Sequence, residues 1–95
     1  MPDATRRKIL VYEPRMMMMR NAFTTGAEGV LHSHPHVQSS YVVSGRFEIT
    51  IDGRTEMMEP GDSFLVSSAV LHRAKCLEAG EIIEIFTPMR QDFLS

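Results

Sequence analysis

The sequence predicts an all-β sandwich or barrel, and two observations support this fold class. Turn signals recur about every ten residues, and no segment between them has the apolar periodicity of a helix. The signals lie at 26–29, 44–45, 52–53, 60–61 and 79–80. The chain has 95 residues, which is enough for one small domain. We therefore expect a single domain over residues 1–95, without an internal boundary or linker.

The predicted strands follow one another between these turns. In chain order they are Lys8–Tyr12, Met16–Met19, Tyr41–Val43, Phe47–Ile51, Thr55–Met58, Phe64–Val66 and Glu81–Thr87. The run Phe47–Ile51 alternates apolar and polar residues, which predicts a strand with one buried face. Asp52–Gly53 then predicts a tight hairpin turn into the next strand.

Four consecutive methionines occupy positions 16 to 19. In a strand, Met16 and Met18 face one way, and Met17 and Met19 face the other. The segment therefore predicts a strand that is covered by the core on one face and by a partner subunit on the other. A homodimer would provide that partner. Thioether ligation of copper would need more sulfur atoms on one face than this pattern offers.

Composition and charge argue against several classes of function. Ten basic and twelve acidic residues give a formal charge of −2, which disfavours a nucleic-acid binder that depends on a basic surface. No apolar run reaches the roughly 18 residues that span a bilayer, and the N-terminal apolar run is too short for a signal peptide. These features predict a cytoplasmic protein with neither a nucleic-acid nor a membrane partner.

The sequence contains one cysteine, Cys76, so neither an intrachain disulfide nor a multi-cysteine zinc motif can form. Cys76 lies in a predicted strand, and no histidine is near it in sequence. A buried structural thiol is therefore favoured over a nucleophile.

A cluster of histidines is the strongest chemical signal in the chain. His32, His34 and His36 alternate with other residues, and Gln38 continues the same parity. An extended chain would point all four side chains to one face, although the intervening proline can disturb this locally. The last histidine, His72, lies far along the chain, which suits a metal ion held between strands that are neighbours in a barrel. A solvated loop of histidines is the alternative interpretation.

The two segments that contain these histidines resemble the two motifs of the cupin superfamily, of the RmlC-like type. The first, Gly26–Gly45, contains His-x-His followed after three residues by Gln38. The second contains Pro60-Gly61-Asp62, an apolar strand and then a histidine. The resemblance implies a double-stranded β-helix, which is the jelly-roll barrel of cupins. It also implies one divalent metal ion, with Zn, Ni, Fe, Mn and Co as candidates. The implied ligands are His32, His34, Gln38 and His72.

Gln38 departs from the general cupin pattern, which normally has a Glu at this position. Three imidazoles and an amide leave the charge of the metal ion uncompensated, so the site is expected to attract an anionic ligand such as a substrate carboxylate. The departure also removes the carboxylate of the two-His-one-carboxylate triad found in oxygenases.

The C-terminal segment Glu84–Leu94 resembles the ending of small single-domain cupins of the pectin-degradation, KdgF-like group. That group also favours the HSHPH-x-Q first motif and an Arg-Lys-Ile-Leu start such as Arg7–Leu10. The resemblance implies linearisation of 4,5-unsaturated uronates to 5-keto-4-deoxyuronates. It places the group's active-site Asp, Phe and Arg at Glu84, Phe86 and Arg90, with an acid that is a methylene longer in this chain.

These residue types suit the implied chemistry, and each has a simpler interpretation. Glu84 shares parity with Phe86, so it is either an inward general acid or base or an exposed glutamate on an edge strand. Arg90 either binds a substrate carboxylate or pairs with a surface acid. Phe86 either stacks on a sugar or belongs to the core. His36 is expected to carry protons or to support the metal ligands rather than to bind the ion.

The sequence thus predicts a metal-dependent isomerase or lyase that acts on a small anionic sugar acid. Two alternatives remain open: an iron-dependent oxygenase, and a non-catalytic module that binds a small ligand. The fold does not decide among them, because cupins host many unrelated activities.

Overall fold

The computed structural model describes residues 6–94, and most of these residues lie in β-strands. The strands are β1 (Arg6–Glu13), β2 (Met16–Phe23), β3 (Val37–Ile51), β4 (Arg54–Met58), β5 (Ser63–Val66) and β6 (His72–Thr87). The only helical element of residues 6–94 is a short 3-10 helix, Gln91–Phe93, so the all-β prediction is confirmed. Within the same range, no helix is long and apolar enough to cross a membrane.

The strands form one antiparallel sheet in the order β1-β2-β6-β3-β4, and β5 pairs with β3. Strands β3 and β6 have 15 and 16 residues and pair along most of their length. Because β6 lies between β2 and β3, inward side chains from distant parts of the chain meet along its inner face.

The predicted turns at Ser44–Gly45 and Ala79–Gly80 are wrong, because both segments lie inside the long strands β3 and β6. The register between these strands shifts within residues 42–47, which bends the pair. Gly45 has a φ of +84°, and a Cβ there would lie 2.6 Å from a backbone carbonyl oxygen of β6. A Cβ on Gly80 would overlap the backbone of β3. The two glycines therefore mark a close backbone approach within a bent strand pair, not chain reversals.

The hairpin predicted at Asp52–Gly53 is confirmed. Asp52 has a φ of +51° and Gly53 a φ of +79°, as a two-residue type I′ turn requires. Phe47 and Ile49, which precede the turn, are buried, as the alternation in their strand predicts.

Two apolar clusters fill the interior, and polar residues separate them along the strands. The larger cluster contains Phe23, Val42, Phe47, Ile49, Met58, Cys76 and Ile82. The smaller contains Met17, Met19 and Phe86. On the inner face of β2, Asn21 lies between residues of the two clusters, and on β6 Glu84 occupies the equivalent position. The buried polar residues are Asn21, His34, Gln38, Ser40 and His72.

The strand prediction for the four methionines is confirmed for its inner face. Met17 and Met19 are buried, whereas Met16 is exposed and Met18 is half-buried. Cover of the outer face by a partner subunit stays a prediction. Cys76 is also buried, as expected for a structural thiol, and burial raises its pKa.

Candidate metal centre

Three histidines from two distant segments of the chain converge inside the barrel. An isolated antiparallel bridge joins His32 to His72 through two backbone hydrogen bonds of 2.8 and 3.0 Å. The ring centroids of His32 and His72 lie 4.4 Å apart, and those of His34 and His72 lie 4.8 Å apart. One ring nitrogen from each of the three histidines lies within 4.8 Å of the other two.

Backbone carbonyl groups orient all three rings in the same way. The Nδ1 atoms of His32 and His72 donate to the carbonyls of Val30 (2.8 Å) and Val70 (2.9 Å). The Nδ1 atom of His34 donates to the carbonyl two residues ahead at 3.0 Å. A hydrogen bond from Nδ1 to a carbonyl group is typical of histidines that bind a metal through Nε2, because it fixes the ring and leaves the Nε2 lone pair for an ion.

Gln38 brings a fourth candidate ligand atom to the same place. Its Nε2 group donates to the Ser40 hydroxyl and to Glu84 Oε2, both at 3.0 Å, which fixes the orientation of the amide. The amide oxygen Oε1 consequently lies 3.1 Å from His34 Nε2.

The contact between Gln38 and His34 suits a bound cation. The neutral His34 ring that donates through Nδ1 carries a lone pair on Nε2, so two acceptors face each other at 3.1 Å. Burial lowers the pKa of His34, with the charge of Arg90 adding to the effect, so protonation of the ring is disfavoured. A metal ion fits instead, since ligand atoms about 2.0–2.2 Å from one ion lie on the order of 3 Å from one another.

Glu84 lies beside this ligand set, on the inner face with Phe86, and it is half-buried. Its carboxylate accepts a short hydrogen bond from Asn21 Nδ2 through Oε1 and a 3.0 Å hydrogen bond from Gln38 Nε2 through Oε2. Amide donors therefore reach both oxygens of the carboxylate. Glu84 is thus held one amide group away from the metal ligands, in a position suited to exchange a proton with a bound molecule.

His32 and His72 line a cleft of about 300 Å³. Its lining includes Arg7, Asn21, His32, Gln38, His72, Glu84, Phe86, Arg90, Asp92 and Phe93. The Arg90 side chain is 15% exposed, and its guanidinium lies 5.1 Å from the Phe86 ring centroid and 4.3 Å from that of Phe93. Arg90 Nε and Nη2 donate to the two oxygens of Asp92 at 3.0 and 2.8 Å. Arg90 therefore pairs with an acid, which is one of its two expected arrangements, and it also lines the cleft. Binding of a substrate carboxylate by Arg90 stays a prediction.

The convergent ring nitrogens belong to the other three histidines and do not include those of His36. The chain bends at residues 35–36, and this bend breaks the shared parity that the sequence predicts. The ring of His36 is 5.6 Å from that of His34, and it faces a second cavity beside Asp92. The backbone carbonyl of His36 nevertheless orients the His34 ring.

Sequence reasoning missed two buried polar residues of the site. Asn21 and Ser40 are each 2% exposed, and they hold Glu84 and Gln38 respectively. Alternation along β2 could have identified Asn21, because this polar residue takes an inward position between Met19 and Phe23.

Comparison with known proteins identifies the family. A profile of the cupin domain matches residues 20–86. The pectin degradation protein KdgF of Dickeya dadantii (strain 3937) is 36% identical over 94 residues, which cover 97% of this chain and 86% of that protein.

Solved structures agree in fold and in sequence. An RmlC-like cupin from Shewanella frigidimarina superposes with a TM-score of 0.90 at 41% identity, over 92% of this chain and 78% of that one. KdgF from Halomonas sp. gives 0.88 at 37% identity, over 92% of this chain and 81% of that one. The predicted jelly-roll barrel is confirmed, and the chain belongs to the cupin family.

Proposed function

We propose that this cupin linearises 4,5-unsaturated uronates, giving 5-keto-4-deoxyuronates, and that a divalent metal ion is required. The observation that carries the proposal is the tether between Glu84 and Gln38, which holds a carboxylate beside the His32–His34–His72 cluster in one cleft. The similarity to the two KdgF proteins supports the choice of substrate class.

His32, His34, His72 and Gln38 would hold the ion. Bound there, it would supply a Lewis acid that polarises the oxygen atoms of the substrate. All four ligands are neutral, so an anionic substrate would complement the charge of the ion better than a neutral sugar would.

Glu84 moves the proton that the reaction requires. As a carboxylate, it takes the proton from the anomeric hydroxyl group while the bond between C1 and the ring oxygen breaks. The electron pair of that bond remains on the ring oxygen, which gives an aldehyde at C1 and an enolate at C4–C5. Glu84 then returns the proton to C4. Substrate and product are isomers, so the reaction needs neither an oxidant nor a reductant.

The other residues of the cleft position the sugar. Phe86 forms part of its wall beneath the Arg90 guanidinium, and Arg90 adds positive charge for the substrate carboxylate. His36 keeps His34 in its ligand orientation through its backbone carbonyl, which makes it a positioning residue.

Replacement of the proposed acid–base group tests this function. With metal-loaded protein and 4,5-unsaturated galacturonate, we expect Glu84→Gln to lower kcat by on the order of 10²-fold or more, because a general acid or base typically contributes that much. Bound metal, measured by atomic emission, should not change. Glu78→Gln, an exposed change on the same strand, is the matched control and should keep full activity.

Other outcomes would favour the alternative functions. Full activity of Glu84→Gln with its metal retained would contradict the role of Glu84. Oxygen uptake dependent on Fe(II), without loss of the vinylic proton, would favour an oxygenase. Stabilisation by the uronate without turnover would favour a binding module.

We also propose that the chain forms a homodimer through the outer face of β1, β2 and β6. Val11, Met18 and Ile85 are paired neighbours across these strands, and Val11 and Met16 are 64% and 49% exposed. An exposed apolar face of this kind marks an interaction surface, and the same face of a second copy would be self-complementary.

Light scattering should give the dimer mass for the wild type and the monomer mass for Val11→Lys. A monomeric wild type would contradict the proposal.

A further inference from the structure

Aromatic rings hold the guanidinium group of Arg90 at the wall of the cleft. Its Cζ atom lies 4.3 Å from the Phe93 ring centroid and 5.1 Å from that of Phe86. Phe86 is buried, and the Arg90 side chain is only 15% exposed. A guanidinium group beside an aromatic ring keeps its N–H donors in its own plane, where they suit a planar carboxylate. The rings therefore restrict the motion of Arg90 and keep these donors at one place in the wall.

A carboxylate of the chain itself takes two of these donors. Arg90 Nε and Nη2 donate to the two oxygens of Asp92 at 3.0 and 2.8 Å. Two parallel N–H···O bonds are the arrangement in which arginine recognises a carboxylate group. These hydrogen bonds lower the pKa of Asp92, so its carboxylate is ionised at neutral pH. Asp92 thus has the charge and the geometry that the carboxylate of a bound acid would have on Arg90.

The two members of this ion pair differ in burial. The Asp92 side chain is 56% exposed, against 15% for Arg90. Asp92 belongs to the 3-10 helix Gln91–Phe93, in which no residue is buried. An ion pair with an exposed member contributes little to stability, because water and salt screen it. Another carboxylate can therefore replace that of Asp92 at small cost, while Arg90 stays in place.

Asp92 has space on two sides. It lines the cleft that contains the candidate metal centre, and it also lines the second cavity, of about 350 Å³, together with His36 and Gln91. A change of side-chain rotamer would carry the carboxylate from the cleft toward this second cavity. The Nε–Nη2 edge of Arg90 would then be open to a molecule in the cleft.

We propose that Asp92 is a specificity-determining residue that acts as an internal competitor. It occupies the carboxylate site of Arg90 in the free protein, and the carboxylate of a bound sugar acid replaces it there. This inference rests on the function proposed above for the choice of ligand, but it concerns binding, which can be measured without turnover. If Asp92 instead oriented Arg90 for the ligand, removal of its carboxylate would weaken binding rather than strengthen it.

Removal of the Asp92 carboxylate tests the competition. Metal-loaded wild type, Asp92→Asn and Asp92→Ala are titrated by calorimetry with galacturonate and with galactose. We expect both variants to lower the Kd for galacturonate by about two- to fivefold, the range in which a partly exposed ion pair shifts an equilibrium. Neither variant should bind galactose more tightly, because galactose has no carboxylate. KM for 4,5-unsaturated galacturonate should fall by the same factor, with kcat nearly unchanged.

Two controls separate the competition from an effect of net charge. Glu28 is also an exposed acid that pairs with an arginine of the cleft lining, since its Oε2 lies 3.5 Å from Arg73 Nη1. Glu28→Gln changes the net charge by the same amount but leaves the Arg90 pair intact, so it should bind galacturonate as the wild type does. In an Arg90→Gln background, Asp92→Asn should give no gain, because its effect acts through Arg90.

Each outcome decides between the two proposals. Tighter binding of galacturonate by Asp92→Asn, without turnover by either protein, would support this inference and overturn the proposed function. A raised or unchanged Kd for Asp92→Asn would overturn the inference, whether or not the protein is active. An equal gain for Glu28→Gln would overturn it too, as would a failure of both the wild type and Asp92→Asn to bind galacturonate.

Discussion

Gln38 connects the candidate metal centre with the proposed acid–base residue. Its amide oxygen faces His34, and its amide nitrogen donates to Glu84. A carboxylate ligand at this position, as in the general cupin pattern, would instead lie 3.0 Å from a second carboxylate. Two carboxylates at that distance repel each other when both are ionised, which favours a proton shared between them. The amide therefore avoids this repulsion between the candidate ligand at position 38 and the proposed acid–base residue.

This reasoning predicts the effect of Gln38→Glu. The new carboxylate should still bind the metal ion, but it should share a proton with Glu84 and raise the apparent pKa of the pair. We expect turnover near pH 7 to fall by on the order of 10²-fold and to recover partly as the pH rises through that apparent pKa. A pH profile of kcat for Gln38→Glu, with the exposed Gln91→Glu as a control of equal charge, measures this. An unshifted profile with full activity would contradict it.

At the residue scale, the sequence predicts most of the candidate site residues but fewer of the hydrogen bonds that connect them. Alternation places His32 and His34 on one face of an extended chain, and the resemblance to the two cupin motifs adds His72. His36 does not share the face of His32 and His34, because the chain bends at residues 35–36 and interrupts the alternation. Asn21 was missed because a single inward amide looks like an ordinary surface residue until the strand on either side of it is known.

At the element scale, the β3–β6 pair bends where its register shifts within residues 42–47. Short β-rich runs and turn residues predict where strands occur, but not that two of them continue through glycines. Turn propensity and close backbone approach both select glycine. Only the strand that pairs with the glycine distinguishes a turn from a close backbone approach. Pairing between residues 42–47 and 76–82 is not a local property of the sequence.

The close approach predicts that Gly80→Ala is strongly destabilising. The new Cβ would overlap backbone atoms of β3, which cannot move as a side chain can. We expect the free energy of unfolding in urea to fall by about 3 kcal/mol. Gly53→Ala, at an open hairpin position with a φ of +79°, should lose only about 1 kcal/mol. Equal losses for the two variants would show that the backbones do not meet at Gly80.

At the scale of the whole molecule, a polar layer separates two apolar clusters in a chain of only 95 residues. Buried polar residues add little hydrophobic stabilisation to a small core, so such a layer indicates a functional constraint. The fold class followed from strand spacing. The position of this layer did not, because it depends on which inward residues of β2, β3 and β6 lie side by side.

Metal-dependent turnover tests the central claim most directly. Metal-free and metal-loaded wild-type protein are incubated with 4,5-unsaturated galacturonate, and the vinylic proton at C4 is followed by NMR against the spontaneous reaction. We predict rapid loss of this signal with metal-loaded protein only, together with appearance of the 5-keto-4-deoxy product. Loss at the spontaneous rate, with one metal ion bound per chain, would contradict the proposed activity.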